Sequence, residues 1–398
     1  MEKLLNRFLK YVKIDTMSDD ASNVTPSTTK QFDLANLLKD ELEGLGLKDI
    51  TLSKECILTA TLKANYDTNL TIGLFAHLDT IPDFSGTNVN PIVHENYDGS
   101  TIELKGINLD PKDFPFLTNL VGKTLITTDG TTVLGADDKA GVAIIMSTLE
   151  ELVNNKELKH VNIKVCFTPD EEIGGGLDSL DVKALGCDYA YTVDGGLFNE
   201  INYENFNASS AHVVIKGLDI HPGSAKGHML NASLIGMEFH QMLPVFMNPM
   251  YTSGYEGFNH LCDIKGNVTE CTLDYILRNH DAKILKDQEN LFISIKDFIN
   301  QKYGDVCNVE IKESYRNMYD ILKNDSRSID KAINAIKSLG YVPNTEPIRG
   351  GTDGAKLTFR GLNTPNLGTG GYNCHGPYEC ACLEEMNIVK EILLEIVK

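Results

Sequence analysis

Basic residues are scarce in this chain relative to acidic ones. The 398 residues include 36 lysines and arginines against 56 aspartates and glutamates, which gives a formal net charge of −20 at pH 7. A surface of this sign repels phosphate backbones and anionic lipid. We therefore expect neither nucleic acid nor a membrane as a partner.

Long hydrophobic runs and paired cysteines are also missing. Apolar runs such as residues 392–394 are broken by charges within a few positions, far short of the roughly 20 apolar residues of a transmembrane helix. The N-terminus lacks the apolar segment and small-residue cleavage site of a signal peptide. Nine cysteines, an odd number without regular spacing, predict free thiols in a reducing compartment. The expected location is cytoplasmic.

Several nucleotide-binding and hydrolase motifs are absent as well. The chain has no Gly-x-x-x-x-Gly-Lys-Ser/Thr loop, no His-Glu-x-x-His helix and no Gly-x-Ser-x-Gly elbow, so P-loop, zincin and α/β-hydrolase assignments lack support. What is present, 42% hydrophobic and 23% charged residues, is typical of globular proteins and excludes disordered and fibrous classes. The length indicates two domains, or three.

The hydrophobic pattern predicts an α/β protein with an inserted domain. Apolar residues at helical spacing predict helices at the start of the chain. Short strands are then expected at 70–76, 123–127, 161–167 and 188–193, with a helix at 139–153. This alternation predicts a mainly parallel sheet flanked by helices. From 209 to 313 the order becomes β-α-β-β-α-β, as in ferredoxin-like folds. We therefore expect a catalytic domain formed by 1–208 and 314–398, and a smaller α+β lid domain at 209–313.

Acidic residues and a histidine follow the predicted strands of the sheet. His77 and Asp79 end one strand, and the period of two puts both on one face. The pair Asp137-Asp138 stands at the start of a predicted helix. Two further acidic segments, Glu171-Glu172 and Asp194, follow predicted strands, and each is followed by glycines. Ligands bind outside the carboxyl ends of parallel strands, so these groups are expected in one cleft.

Each of these groups has an ordinary structural interpretation when taken singly. A His-x-Asp pair can be a core hydrogen bond, Asp137-Asp138 a helix cap, and Glu171-Glu172 a solvated loop. Together in one cleft, however, such carboxylates repel one another unless cations neutralise them. The sequence thus favours a binuclear metal site, and imidazole and carboxylate ligands without paired thiolates suit zinc, with manganese or cobalt as alternatives.

Two segments near the C-terminus offer further candidates. His375 lies close to Cys374, Cys380 and Cys382, but no second cysteine pair at zinc-finger spacing exists, so we interpret the histidine as a ligand and the cysteines as bystanders. The segment 349–354 places Arg349 beside backbone N–H groups before a predicted helix, which suits a substrate carboxylate. An ordinary capped turn explains that segment equally well.

Taken together, the motifs resemble the dizinc aminoacylase and carboxypeptidase family of metallopeptidases over essentially the whole chain. The motifs that carry the resemblance are 26–28 (PST), 77–80 (HLDT), 127–130 (TTDG), 134–141 (LGADDKAG), 167–172 (FTPDEE), 192–196 (TVDGG), 221–223 (HPG), 347–354 (PIRGGTDG) and 370–376 (GGYNCHG). Cys374 is a departure, since an aromatic residue is expected beside the ligand histidine.

The resemblance implies two zinc ions per subunit and a role for each matching residue. Asp137 would bridge the ions, with one completed by His77 and Asp194 and the other by Glu172 and His375. Glu171 would be the general base and Asp79 the active-site aspartate behind the first histidine. The remaining candidates would bind substrate: His221 at the carbonyl oxygen, and Arg278 and Arg349 at a carboxylate.

The activity implied by the resemblance is that of a tripeptide aminopeptidase. The N-terminal residue of a small peptide would be released by a water molecule activated between the two zinc ions, with Glu171 taking its proton. Alternatives within the family are a dipeptidase, a carboxypeptidase or an N-acyl amino acid deacylase. Alternatives from other classes are a metal-dependent phosphoesterase and a non-catalytic binding protein. A homodimer formed through the lid is a further expectation, by analogy with relatives.

Overall fold

The computed structural model describes the whole chain, Met1–Lys398, and divides it into two compact units. The first comprises residues 1–203, 320–346 and 352–398, and the second comprises residues 204–319 and 347–351. The expected interruption of an α/β domain by a smaller domain therefore has a counterpart in the structure. The roles of catalytic and lid domain, with boundaries at 208/209 and 313/314, stay predictions.

The first unit is built around a seven-stranded sheet. Its strands, in spatial order, are β1 (Lys48–Leu52), β2 (Leu58–Leu62), β8 (Asn162–Thr168), β3 (Thr71–His77), β9 (Tyr189–Gly195), β15 (Asn366–Gly368) and β10 (Ile201–Asn202). The four central strands, β8, β3, β9 and β15, are parallel, and the strands outside them pair antiparallel. The predicted α/β fold class with a mainly parallel sheet is confirmed.

Both faces of this sheet are covered, as the alternation of side chains requires. Leu74 on β3 packs into a core with helices α1 (Glu2–Tyr11), α2 (Gln31–Gly44), α3 (Ala136–Asn154), α8 (Arg327–Ser338) and α10 (Leu383–Ile396). The next residue, Phe75, packs into a core on the opposite face with α4 (Val182–Leu185) and α9 (Asp353–Phe359). Two buried faces explain why the central strands read as continuous apolar runs.

The predicted strand at 123–127 is placed differently from expectation. Residues Leu125–Thr127 form β7, which belongs to a separate antiparallel sheet with β4 (Ile92–His94), β17 (Cys380–Cys382) and β16 (Gly371–Tyr372). Strands this short have too few residues to show a hydrophobic periodicity, so the sequence does not indicate which strands they pair with. The first unit also contains the hairpin β5 (Ile102–Glu103) and β6 (Asn108–Leu109) and a 3₁₀ helix, Pro115–Leu120.

The second unit is the β-α-β-β-α-β module expected from the sequence. Its elements are β11 (Asn207–Lys216), α5 (Ala232–Gln241), β12 (Phe258–Gly266), β13 (Glu270–Asn279), α6 (Ala282–Tyr303) and β14 (Cys307–Tyr315), with 3₁₀ turns at Pro222–Ser224 and Pro249–Tyr251. The sheet is antiparallel in the order β12-β13-β11-β14. The next helix along the chain, α7 (Tyr319–Leu322), belongs to the first unit from Asp320 onward. No helix in the structure combines the length and apolar composition needed to cross a membrane.

Candidate metal centre

The carboxyl ends of β8, β3 and β9 bring the acidic segments together. His77 is the last residue of β3 and pairs in register with Thr168, the last residue of β8, after which the chain turns into Glu171 and Glu172. Asp194 lies near the end of β9. Because these three strands are parallel neighbours, their ends meet at one edge of the sheet, as the sequence predicts.

Asp137 enters this edge from the start of α3. Its Oδ1 is 2.9 Å from Nε2 of His77, and its Oδ2 is 3.1 Å from Nε2 of His375. The same His77 nitrogen lies 3.5 Å from Oδ1 of Asp194, and the His375 nitrogen lies 3.1 Å from Oε2 of Glu172. One carboxylate therefore faces two imidazoles, each of which has a second carboxylate beside it.

These contacts define two groups of donors that share one residue. In each group, the donor atoms lie within 4.8 Å of one another, and the members are His77, Asp137 and Asp194 in one, and Asp137, Glu172 and His375 in the other. No cysteine belongs to either group. Imidazole and carboxylate donors suit zinc and other first-row divalent ions, so the residues present fit a two-ion centre.

The electrostatics of the cluster point the same way. Burial raises the pKa of Asp194 to about 7, with the Asp137 carboxylate adding to the effect. Hydrogen bonds to Asp137 and Glu172 raise the pKa of His375 to about 10. Burial lowers the pKa of His77, but the surrounding carboxylates outweigh it, and the net direction is upward. The site thus favours positive charge among its carboxylates, a demand that divalent cations satisfy.

Asp79 lies behind His77 and supports two parts of the site. Its backbone oxygen is 3.1 Å and its Oδ1 is 3.3 Å from Nδ1 of His77. Its two carboxylate oxygens also accept the N–H groups of Glu171, at 3.0 Å, and Glu172, at 3.3 Å. A carboxylate that orients an imidazole by its second nitrogen is the usual outer partner of a ligand histidine. The sequence predicted that Asp79 lies behind His77, but it did not predict the hydrogen bonds from the Glu171 and Glu172 amides to Asp79.

Glu171 carries its carboxyl group in the same negative environment. Burial, followed by the nearby charge of Asp353, raises the pKa of Glu171 well above the usual glutamate value. A carboxyl group whose proton affinity is increased in this way holds a transferred proton more firmly than a free glutamate does, which suits a general base. Asp353 is almost fully buried and ion-paired to Lys356 at 3.4 Å.

Three further carboxylates support the centre through contacts that the sequence did not predict. Asp138 Oδ2 accepts the N–H of His77 at 3.1 Å. Asp170, at the left-handed φ of 53°, accepts from Ser27 N–H, Ser27 Oγ and Gln31 Nε2. Glu379 accepts backbone N–H groups around Asp137. All three lie within four residues of a predicted ligand, which was the one available signal, but these contacts are with residues distant in sequence.

The three predicted substrate-binding residues belong to the second unit. His221 is exposed, and its Nδ1 accepts the N–H of Gly223 at 3.1 Å. Arg278 donates from Nη1 to the carbonyls of Ser209 and Leu277. Arg349 donates to the carbonyls of Gly254, Glu256 and Thr252 and to Thr252 Oγ1. Their roles toward a substrate stay predictions.

The segment 349–354 contains an ordinary helix cap. Thr352 precedes α9, and its Oγ1 accepts the N–H of Gly354 at 3.2 Å. The capped turn that the sequence offered as an alternative is therefore present. The cysteines near His375 also take structural positions, since Cys380 and Cys382 are buried in β17.

Comparison with known proteins identifies the family. The model of peptidase family M20/M25/M40 matches residues 134–398. Full-length relatives named Peptidase T include those of Alkaliphilus oremlandii, 49% identical over 100% of this chain and 99% of the relative, and of Caldanaerobacter subterraneus, 48% identical over 100% and 98%. The chain belongs to peptidase family M20/M25/M40. The resemblance found in the sequence, and the class of peptide-bond hydrolase it implies, are confirmed.

Solved structures support the same fold assignment for this M20 chain. An aminopeptidase, PepT, from Bacillus cereus superposes with a TM-score of 0.80 at 21% identity, covering 100% of this chain and 97% of that one. A Bacillus subtilis protein described as a dinuclear metal-binding peptidase of the M20 family has a TM-score of 0.67 at 14% identity, with coverage of 100% and 97%. At these identities the similarity concerns the fold.

Proposed function

We propose that this M20 peptidase is a zinc-dependent aminopeptidase that removes the N-terminal residue from tripeptides. The observation that carries the proposal is the pair of donor groups sharing Asp137, with Glu171 held beside them. Full-length relatives at 48 to 49% identity named Peptidase T support the substrate class. A Staphylococcus aureus tripeptidase with a TM-score of 0.79 at 23% identity, covering 100% of this chain and 97% of that one, shares the fold.

The proposed ligands are those that the donor groups bring together. Asp137 would bind both ions, His77 and Asp194 the first, and Glu172 and His375 the second. When bound, two such ions polarise a carbonyl oxygen and lower the pKa of a water molecule toward neutrality. Zinc is the proposed metal because its catalytic sites use imidazole and carboxylate ligands.

Glu171 performs the proton transfers in this proposal. It accepts a proton from the attacking water and gives it to the amine of the departing dipeptide, so the same carboxyl group begins and ends the cycle ionised. Asp79 holds the backbone N–H of Glu171 and the imidazole of His77, so one side chain sets the position of the base relative to a ligand. His221 is the proposed donor to the oxyanion.

The test compares an unblocked tripeptide with its N-acetylated counterpart. Zinc-loaded protein is incubated with each peptide, with and without a chelator, and products are identified by mass spectrometry. Chelator-sensitive release of the N-terminal residue from the free peptide alone supports the proposal. Cleavage of the acetylated peptide would instead indicate a deacylase or carboxypeptidase, and equal cleavage of a dipeptide would indicate a dipeptidase.

The cytoplasm and a homodimer complete the proposal. All nine cysteines are unpaired in the structure, which fits a reducing compartment. The dimer is proposed by analogy with relatives, and light scattering after size-exclusion chromatography measures it directly.

A further inference from the structure

Beyond the ligands themselves, we propose that Glu379 is a positioning residue that orients Asp137 between the two halves of the metal centre. The inference rests on the metal site proposed above. It assigns Glu379 no contact with substrate or metal, only the task of holding the backbone of the shared ligand.

Glu379 is buried, with 1% of its surface exposed, and its carboxylate is occupied by backbone amides. Oε2 accepts the N–H of Leu134 at 2.7 Å and of Gly135 at 2.8 Å, and Oε1 accepts the N–H of Asp137 at 3.0 Å. No lysine or arginine nitrogen lies within 4.0 Å of it. The three amides are therefore its hydrogen-bond donors, as a buried carboxylate requires. Burial raises the pKa of Glu379, whereas these hydrogen bonds lower it, and the net pKa is about 7. The buried ammonium of Lys139 also interacts with it electrostatically.

The amides that donate to Glu379 lie around the start of helix α3: Leu134 and Gly135 precede it, and Asp137 is its second residue. Gly135 precedes this helix with φ of 77°, and the backbone angles of Asp137, φ −83° and ψ 103°, are not yet helical. Within the first turn, Asp138 Oδ1 accepts the N–H of Gly141 but none of the three amides that bind Glu379. The start of a helix leaves backbone donors without intrahelical acceptors, and a negative charge is favourable there. Glu379 supplies the acceptor from a distant part of the chain, so the conformation of the Asp137 backbone depends on it.

Glu379 also lies in the same segment of the chain as His375, a proposed ligand of the second ion. Its own N–H donates to the carbonyl of Gly376, the residue after His375, at 3.2 Å. One residue thus joins the loop of His375 to the loop of Asp137, whose side chains approach to 3.1 Å. A shift of either loop would change the separation of donors that must bind one ion.

A carboxylate suits this position better than an amide. Its two oxygens accept from two groups of N–H donors, whereas a glutamine has one oxygen and an NH₂ group that would face another N–H. Glu379→Gln should therefore keep part of the arrangement, and Glu379→Ala should lose all of it. Glu385 is a matched control, because it is equally buried at 2% exposure but accepts from Lys123 Nζ and Tyr372 Oη instead.

The experiment measures metal binding directly. Metal-free wild-type, E379Q, E379A and E385Q proteins are titrated with Zn²⁺ in competition with a chelator of known affinity, and Co²⁺-loaded samples are compared by visible absorption. Thermal unfolding of each metal-free protein reports stability. We expect the affinity of E379Q for at least one of the two zinc ions to fall about 10-fold or more. The affinity of E379A should fall further, and that of E385Q should equal the wild-type affinity. The visible spectrum of bound Co²⁺ should change in E379Q and stay as in the wild type in E385Q.

Two results would overturn the inference. Wild-type affinity and an unchanged Co²⁺ spectrum in a folded E379Q protein would show that Glu379 does not position a ligand. An equal loss in E379Q and E385Q would attribute the effect to general destabilisation. Failure of the wild-type protein to bind two equivalents would reject the metal site itself, so the two proposals fail in distinguishable ways.

Discussion

Asp137 and Asp138 are adjacent in the chain, yet their carboxylates face different partners. Asp137 presents both oxygens to imidazole nitrogens, at 2.9 and 3.1 Å. Asp138 accepts the backbone N–H groups of His77 and Gly141 instead, at 3.1 and 3.2 Å. Of two identical side chains, one is directed toward the candidate metal centre and the other toward the backbone that supports it.

This division predicts opposite phenotypes for the two asparagine variants. Asp137→Asn removes a charged oxygen shared by both donor groups, so zinc affinity should fall by more than the roughly 10- to 100-fold that loss of an outer partner costs. Asp138→Asn should still bind two zinc equivalents but lose about 1–3 kcal/mol of stability, because one backbone N–H loses its acceptor. Zinc titration and chemical denaturation measure the two effects. Two zinc equivalents bound normally by D137N would contradict the assignment.

Glu171→Gln should separate metal binding from turnover. The amide retains the size of the side chain but cannot accept a proton, so kcat should fall by roughly 10²- to 10⁴-fold while zinc content stays at the wild-type value. Elemental analysis and steady-state kinetics on a free tripeptide test this together. Near-normal kcat in the zinc-loaded variant would reject Glu171 as the base.

The two arginines of the second unit should differ in phenotype. Arg349 uses both terminal nitrogens to bind the carbonyls of Gly254, Glu256 and Thr252, so Arg349→Ala should lower the melting temperature of the protein. Only Nη1 of Arg278 binds backbone carbonyls, and its guanidinium also lies over the Tyr315 ring, 5.2 Å from the ring centre. We propose that its remaining N–H groups bind a substrate carboxylate.

For Arg278→Ala we therefore expect KM for a tripeptide to rise about 10-fold, the loss of one charged hydrogen-bonded pair. A C-terminally amidated tripeptide provides the control, since it lacks the carboxylate and should be affected by the variant far less. Equal increases in KM for both peptides would argue against a contact between Arg278 and the carboxylate.

Gly141 permits the close approach of α3 to β9. A Cβ at this position would collide with the carbonyl oxygen of Val193 and with the carboxylate of Asp138. Gly141→Ala should therefore destabilise the protein by about 1–3 kcal/mol or more. Gly44 ends α2 with open space around it, and Gly44→Ala should stabilise by about 0.5–1 kcal/mol. The denaturation midpoints of both variants, compared with that of the wild type, test this difference in the sign of the stability change. Equal destabilisation by the two substitutions would contradict it.

The local pattern of residues was enough to predict much of the architecture. Apolar runs bounded by turns identified β3, β8 and β9, and helical periodicity identified the β-α-β-β-α-β order of the second unit, because both signals lie within a short stretch of chain. The sequence also predicted a strand at the position of β7, but not β16 or β17. It could not predict that β7 joins a separate sheet, because β7 pairs there with β17, which is far away in the chain.

The sequence by itself determined which side chains are available at the centre and in which order they occur. The candidate ligands stand in motifs at strand ends and turns, and it is the set of these motifs, rather than any one of them, that predicts a metal site: His77, Asp137, Glu172, Asp194 and His375. Only the tertiary structure decided how they are held, because hydrogen bonds such as those from the Leu134, Gly135 and Asp137 amides to Glu379 join segments that no local pattern connects. Burial gives those contacts their strength, and burial exists only once the chain has folded.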